Sequence, residues 1–415
     1  MPKNNRDFFK EKNNWSEIKD RLLACYLPQY FQKVLMTGKP IFYVDCFSGK
    51  GKFDDGNLGS PIIALQIRDA CLTQTSNKDG KIETHFIELN HAEELASNIS
   101  IFNNSNGQPF ITSGKYEETI EGLLEKRNNY NVFLYVDPYG IKALDFSLFN
   151  KFQNSGFASF EILVNFNSFG FIRDACRVMS VDYNKDEALN NLEDLIEYEP
   201  TQITSNKQSE NILNSIANGD YWKKIITEFK NGAINGYQAE KAFSAEYKQQ
   251  LKKGFAYVLD MPIRLKEGQR PKYRMIHACN HKDGCFLMAK NMQSRKEELF
   301  IDIQQGGQIS LFDFDPSVSS TAENEIINED EVLALVKEHL LIFDEDVKLT
   351  NFIASFLNKH GLLCDFKMIY NALGKLEEIR FIEITRKPAL TENGRKRTFW
   401  EEKKNQTLTL RRVRL

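Results

Sequence analysis

Two hydrophobic periods alternate along this chain. Between Trp15 and Leu35, apolar side chains fall at Ile18, Leu22, Leu23 and Tyr26, a helical spacing that Pro28 is expected to disturb. Short apolar runs follow at Ile41–Val44, Ile82–Ile87, Pro109–Thr112, Val132–Val136 and Glu161–Phe166. Helical patterns fill most of the gaps, at Ile62–Cys71, Ala92–Ile101 and Tyr116–Arg127. Near-continuous apolar strands separated by helices predict an α/β fold with a parallel sheet covered on both faces. After Phe169 the chain turns polar and helix-prone, as at Asp186–Tyr198 and Tyr221–Phe229, which predicts a helical insertion at about 170–250. Two further strands, Phe255–Ile263 and Tyr273–Cys279, flank the turn-like Lys266-Glu267-Gly268-Gln269-Arg270-Pro271, and a helical Phe286–Met292 follows.

Residues 301–330 are rich in Ser, Asp and Asn and read as a linker. Helical stretches at Glu331–Ile342, Thr350–His360 and Asp365–Glu378 come next. A strand at Phe381–Thr385, a turn-rich Lys387–Lys396 and a strand near Gln406–Val413 close the chain. Three helices and a basic two-stranded hairpin predict a winged-helix-like domain over 331–415.

At 415 residues and 48.0 kDa, two or three domains are expected. The formal charge of −3 excludes a global polycation, so any nucleic-acid surface must be a local patch. The polar N-terminus has no signal-peptide apolar core, and no apolar run approaches the ~18 residues of a membrane span. Seven scattered cysteines suit a reducing compartment. A cytoplasmic protein with no membrane partner is expected.

Parallel strands that end in a late hairpin, with an antiparallel strand inserted into the sheet, resemble the Rossmann-like methyltransferase architecture, here over residues 1–300. The first strand runs into Asp45-Cys46-Phe47-Ser48-Gly49-Lys50-Gly51. Glycine suits a chain that turns sharply while its backbone lies against a ligand, where a Cβ would obstruct. The second strand ends in Glu88, where a carboxylate would accept both ribose hydroxyls of a nucleotide. No G-x-x-x-x-G-K-[ST] occurs, so a P-loop is excluded, and Asp54 takes the third glycine position of a nicotinamide fingerprint. Ser60 and Pro61 read as N-cap and first residue of the next helix.

The fourth strand ends in Asp137-Pro138-Tyr139-Gly140. Exocyclic base amines are poor nucleophiles because the lone pair is delocalised into the ring. A carboxylate and a backbone carbonyl that accept the amine N–H bonds favour the pyramidal nitrogen needed for attack on a methyl group. Asp137 would be the acceptor, Pro138 would lend its carbonyl, and Tyr139 would stack a flipped-out base. The same tetrapeptide is also an ordinary turn.

Several features together resemble the bacterial three-Cys-motif partner family of S-adenosylmethionine methyltransferase-like proteins. They are the Trp15…Lys19 helix, Tyr43-Val44-Asp45-Cys46-Phe47-Ser48-Gly49-Lys50-Gly51, Gly59-Ser60-Pro61, Phe86-Ile87-Glu88, Asp137-Pro138-Tyr139-Gly140 and Asn165…Arg173. The resemblance implies S-adenosylmethionine as cofactor, held by Asp45, Phe47, Gly49, Gly51 and Glu88. It also implies a mobile-element or phage-defence context and a cysteine-motif protein as partner. Ser48-Gly49-Lys50-Gly51 stands where the family commonly has Ala-Gly-Pro-Gly, and Gly114-Lys115 where it has Gly-Asp, with Glu117 the nearest acid to contact adenine.

Three weaker signals remain. His277-x-Cys279-x-His281-x3-Cys285 has metal-ligand residue types but lies on a strand and helix, so packing residues and no metal site are expected. Gln308-Ile309-Ser310-Leu311-Phe312 is similar to the peptide that docks on the bacterial sliding clamp. Residues 386–415 carry ten Lys or Arg against three acids, with Phe399 and Trp400 between them; Arg395, Lys396, Arg397, Lys403 and Lys404 are candidate phosphate contacts. The expected function is S-adenosylmethionine-dependent methylation of an exocyclic base amine in nucleic acid, with DNA favoured. The alternatives are a non-catalytic defence adaptor with a degenerate core, or a guanine-amine RNA methyltransferase.

Overall fold

The computed structural model describes residues 12, 14–75, 77, 79–138, 140, 141, 144–153, 155–190, 207–263, 273–306, 327–402 and 405–413. Among them, a mostly parallel seven-stranded sheet comprises β1 (Ile41–Asp45), β2 (Ile82–Glu88), β3 (Phe110–Ser113), β4 (Asn131–Val136), β5 (Ser159–Phe166), β6 (Tyr257–Ile263) and β7 (Tyr273–Cys279). Their order is β3-β2-β1-β4-β5-β7-β6, with β7 antiparallel to both neighbours. Every residue of β1 and β4 is buried, because helices cover both faces.

The period of two sorts these side chains. Ile41, Tyr43 and Phe133 join a core with Leu22, Leu23 and Tyr26 of α1 (Asn14–Leu35) and Leu65 of α2 (Ser60–Gln74). Phe42, Val44, Val132 and Leu134 join a second core with Ile120 of α4 (Tyr116–Leu124) and Phe149 of α5 (Phe146–Gln153). Helix α3 (Ala92–Ile99) sends Leu95 and Ile99 to the first core.

Pro28 does not end the first helix, contrary to expectation; α1 runs through it to Leu35. An interior proline costs about 3 kcal/mol. Tyr26, Leu27, Tyr30 and Phe31 around it are all buried, and each such side chain contributes roughly 1.5–3 kcal/mol. Burial wins.

Between β5 and β6 lie α6 (Ser168–Val178), α7 (Lys207–Ala217), α8 (Trp222–Lys230) and α9 (Gly236–Leu251). Stacked rings tie α6 to α9 and α9 to the sheet: the ring centroids of Phe171 and Phe243 lie 3.9 Å apart, and those of Phe166 of β5 and Tyr247 lie 4.3 Å apart. The helix expected at Asp186–Tyr198 is absent over 186–190, where the chain turns; the remainder lies outside the described residues. The Asp186 carboxylate accepts the amides of Ala188, Leu189 and Gly236 at 2.8–3.0 Å, an Asx-type turn that competes with helix.

Helix α10 (Lys282–Gly306) extends well past Met292 and through residues 301–306, which the sequence placed in the linker. The clamp-like Gln308–Phe312 and the turn Lys266–Pro271 lie outside the described residues. The C-terminal segment forms α11 (Glu329–Leu340), β8 (Val347–Lys348), α12 (Leu349–His360), α13 (Phe366–Glu378), β9 (Ile382–Lys387) and β10 (Thr407–Arg412). Its separate antiparallel sheet has the order β8-β10-β9. Asn358 of α12 accepts the Val258 amide at 3.1 Å and donates to the Ala256 carbonyl at 2.9 Å, which satisfies part of the exposed edge of β6. Among the described residues, no helix is long and apolar enough to cross a membrane.

Candidate functional site at the carboxyl edge of the sheet

Strand order reverses direction between β1 and β4, which pair in parallel, and a crevice forms at the carboxyl ends of strands on either side of such a point. The strand-end residues there are Asp45 and Asp137, with Glu88 one strand further out.

The glycine turn after β1 is tightly specified. Gly49 and Gly51 have φ of +58° and +74°, a region that favours glycine. A Cβ on Gly51 would stand 2.9 Å from Leu95 Cδ1 of α3. The Gly59 amide donates to the Gly51 carbonyl at 2.9 Å, which closes the loop against the start of α2. The Glu88 carboxylate pins the turn from the other side. Its Oε2 accepts the Gly49 amide at 2.8 Å, and Oε1 accepts the amides of Asn90 and His91 at 2.8 and 3.0 Å.

Asp45 is fully buried. Its Oδ2 accepts the Ser60 hydroxyl at 2.6 Å, and its Oδ1 accepts the Phe47 amide at 3.3 Å. Burial pushes its carboxyl up to about 7; those two hydrogen bonds oppose the rise, and the charges of Asp137 and Asp20 add to it. Ser60 is therefore not the helix cap that the sequence predicted. Gly59 occupies the cap position without a side-chain bond, and the Ser60 hydroxyl serves Asp45 instead.

Asp137 meets partners from two distant elements. Lys19 Nζ of α1 donates to Oδ1 at 2.8 Å and to Oδ2 at 2.7 Å, and Asn165 Nδ2 of β5 donates to Oδ1 at 2.7 Å. The Tyr135 hydroxyl approaches Oδ2 at 3.5 Å. Lys19 also lies over the Tyr273 ring, 5.7 Å from its centroid. On the next residue of α1, Asp20 pairs with Lys12 at 2.6 Å, and Lys12 Nζ donates to the Leu58 carbonyl at 2.7 Å. Burial raises Asp20 to about 6, while Lys12 and Lys19 lower it. The start of α1 thus straps the glycine turn and the fourth strand end together.

Of the residues singled out in the sequence, Asp45, Gly49, Gly51, Glu88, Asp137 and buried Pro138 lie along this one edge. Phe47 is half-buried, 5.4 Å from the Tyr116 ring. Tyr139 lies outside the described residues, and Glu117 is exposed in the first turn of α4. Lys12, Asp20, Tyr135 and the Asn165 contact were not foreseen. Lys19 carried one local signal, a lysine in register with the apolar stripe Leu22, Leu23 and Tyr26.

Of the C-terminal candidates, Arg395, Lys396 and Arg397 are consecutive in the chain between β9 and β10. Arg395 and Lys396 are exposed at a tight turn between β9 and β10, where the Thr391 amide donates to the Arg395 carbonyl at 2.8 Å. Arg397 Nε donates to the Leu390 carbonyl at 2.9 Å. Lys403 and Lys404 lie outside the described residues. Trp400 is packed between Tyr370, at 5.4 Å, and the Arg386 guanidinium, at 5.1 Å. Among the described residues, no group of three His, Cys, Asp or Glu side chains could hold a metal ion.

No protein-family model matches the chain, and no curated protein matches it in sequence.

Proposed function

We propose that this protein is an S-adenosylmethionine-dependent methyltransferase acting on an exocyclic amine of a nucleic-acid base, with DNA as the polynucleotide. The observation that carries the proposal is the gathering of Asp45, the glycine turn, Glu88 and Asp137 at the switch point of the sheet. The insertion of antiparallel β7 between β5 and β6 supports a Rossmann-like methyltransferase core.

The residues fit the donor's groups. A buried acid at the end of β1 suits an ammonium, and the bare Gly49 and Gly51 backbone suits close approach of a ligand chain. Glu88 spends three of its roughly four acceptor positions on backbone amides, so one remains, on Oε2, for a single ribose hydroxyl. S-Adenosylmethionine would supply an electrophilic methyl group on a sulfonium.

The chain's own part is to position and polarise the amine. Lys19 and Asn165 hold the Asp137 carboxylate in place, and the long 3.5 Å hydrogen bond from the Tyr135 hydroxyl to Oδ2 is the one that an incoming amine would displace. An amine N–H donating there, with a second N–H on the Pro138 carbonyl, gains pyramidal character as the transition state forms. The order helix, short strand, two helices and hairpin over 329–412 supports a winged-helix reading, with Arg395 and Lys396 at its tip against phosphates. The partner proposals, a cysteine-motif protein and the sliding clamp at Gln308–Phe312, rest on sequence resemblance.

One observation favours a second reading. Glu88 and Asp137 both do internal work, pinning a turn and pairing with α1, as expected of a core kept for its shape in a non-catalytic adaptor. Transfer of a labelled methyl group to DNA separates the two. Asp137→Ala should keep donor affinity and lose transfer; retained transfer removes Asp137 from the mechanism.

A further inference from the structure

Two histidines of the C-terminal segment take no part in the site above. His339 stands in the last turn of α11, His360 closes α12, and their ring centroids lie 5.6 Å apart. His339 is 1% exposed, and the ring centroids of Phe343, Phe352 and Phe356 surround it at 5.5–5.8 Å. His360 is half-buried, its centroid 4.7 Å from that of Phe356. His339 Nε2 lies 3.0 Å from the Ser355 hydroxyl of α12. The Nδ1 of His339 and the Nε2 of His360 are buried without a partner. Among the described residues, neither ring pairs with a carboxylate.

The charged groups that act on the two rings are Glu338 of α11 and Lys359 of α12, which pair with each other at 3.2 Å on the surface. Those on the surrounding elements are otherwise engaged or exposed. In the loop after α11, Asp344 and Asp346 pair with Arg412 and Arg411 of β10, both at 3.7 Å, and Glu345 is exposed. Lys375 of α13 pairs with Glu329 at the far end of α11, and Asp365 caps α13 by accepting the Met368 amide. A proton on either ring therefore sets a cation among apolar rings, facing the other histidine and Lys359, with Glu338 alone against them. Burial pushes His339 down to about 4, with His360 and Lys359 adding to the fall, and burial lowers His360 as well. Helix α12 is held independently, to β6 through Asn358 and to α10 through the Cys285 thiol on the Ala354 carbonyl. Helix α11 meets it through these rings.

We propose that His339 and His360 form an acid-sensitive latch, which holds α11 against α12 while both rings are neutral and releases α11 when they take up protons. The open state binds its proton near the ordinary 6.5 and the closed state near 4 at His339. The hold is therefore complete above about 6.5 and is lost progressively as the pH falls from there towards 4. The latch does not depend on methyl transfer.

Hydrogen exchange of the full chain, read by mass spectrometry at pH 7.5 and pH 5 and corrected for the intrinsic rate, tests the latch. The opening constant of the α11 amides should rise about 25-fold on acidification from His339 alone, while β1 and β4 stay protected. His339→Gln keeps a donor for Ser355 and cannot take a proton, so its rise should be at least tenfold smaller. Should that variant not fold, His360→Gln at the half-buried end of α12 decides, with a rise at least threefold smaller than in the native chain. A native rise below threefold, the full rise retained in either folded variant, or β1 and β4 losing protection together with α11 at pH 5 would each overturn the proposal.

Discussion

Replacing Lys19 with Met tests whether the ion pair at the fourth strand end holds α1 to the sheet. The side chains of Lys19 and Asp137 are 9% and 21% exposed, and Nζ reaches both carboxylate oxygens within 2.8 Å. Removing one partner of a pair this buried leaves an uncompensated charge, at a cost of about 3–5 kcal/mol. Partial exposure of Asp137 and the surviving Asn165 bond place Lys19→Met at the lower end, about 3 kcal/mol. At roughly 2–4 °C per kcal/mol, the unit containing the sheet should melt about 6–12 °C lower. Lys19→Met/Asp137→Asn removes both charges and keeps an Asn165 partner, so it should recover about 2 kcal/mol relative to the sum of the single variants. Urea denaturation of all four proteins, followed by fluorescence and circular dichroism together, closes the cycle. A double variant no more stable than the sum of its parts would refute the coupling.

Asp45 should make stability depend on pH in an unusual direction. Its native carboxyl titrates near 7 against about 4 when unfolded, so the native state holds the extra proton between those values. Acidification from 7 towards 4 is therefore favourable at this residue. Asp45→Asn should be more stable than the native chain at pH 8, and its advantage should vanish below pH 4; an advantage constant with pH would contradict the burial argument. Gly51→Ala meets both a positive φ and Leu95, so a loss of about 1–2 kcal/mol in urea is expected, with donor affinity falling at least tenfold. If Arg395 and Lys396 touch phosphates, replacing both by Ala should lower the slope of log K against log salt by about 2, measured by fluorescence anisotropy on duplex DNA. An unchanged slope places the DNA surface elsewhere.

The strand ends were legible because β1 and β4 are unbroken apolar runs that stop at an acid, a pattern set by burial on two faces. Local grammar misled where tertiary partners intervened. Ser60 has the chemistry of a helix cap, yet Asp45, fifteen residues earlier, takes its hydroxyl. Pro28 obeys its own propensity less than the burial of Tyr26, Leu27, Tyr30 and Phe31. Helix α10 meets no stop signal until Gly306-Gly307, so the polarity of the sequence around residue 301 was a poor guide to its end. The Lys19–Asp137 pair spans 118 residues, and no window of sequence contains both.

Everything proposed for the carboxyl edge depends on Asp45, Glu88 and the glycine turn forming one pocket for a cationic donor. Isothermal titration of the full chain with S-adenosylmethionine, and with S-adenosylhomocysteine as the thioether counterpart that keeps the ammonium and lacks the sulfonium charge, measures this directly. One site per chain, tighter for the sulfonium and lost in Asp45→Ala, is the expected result. Folded protein that gives no heat of binding with either compound would contradict it.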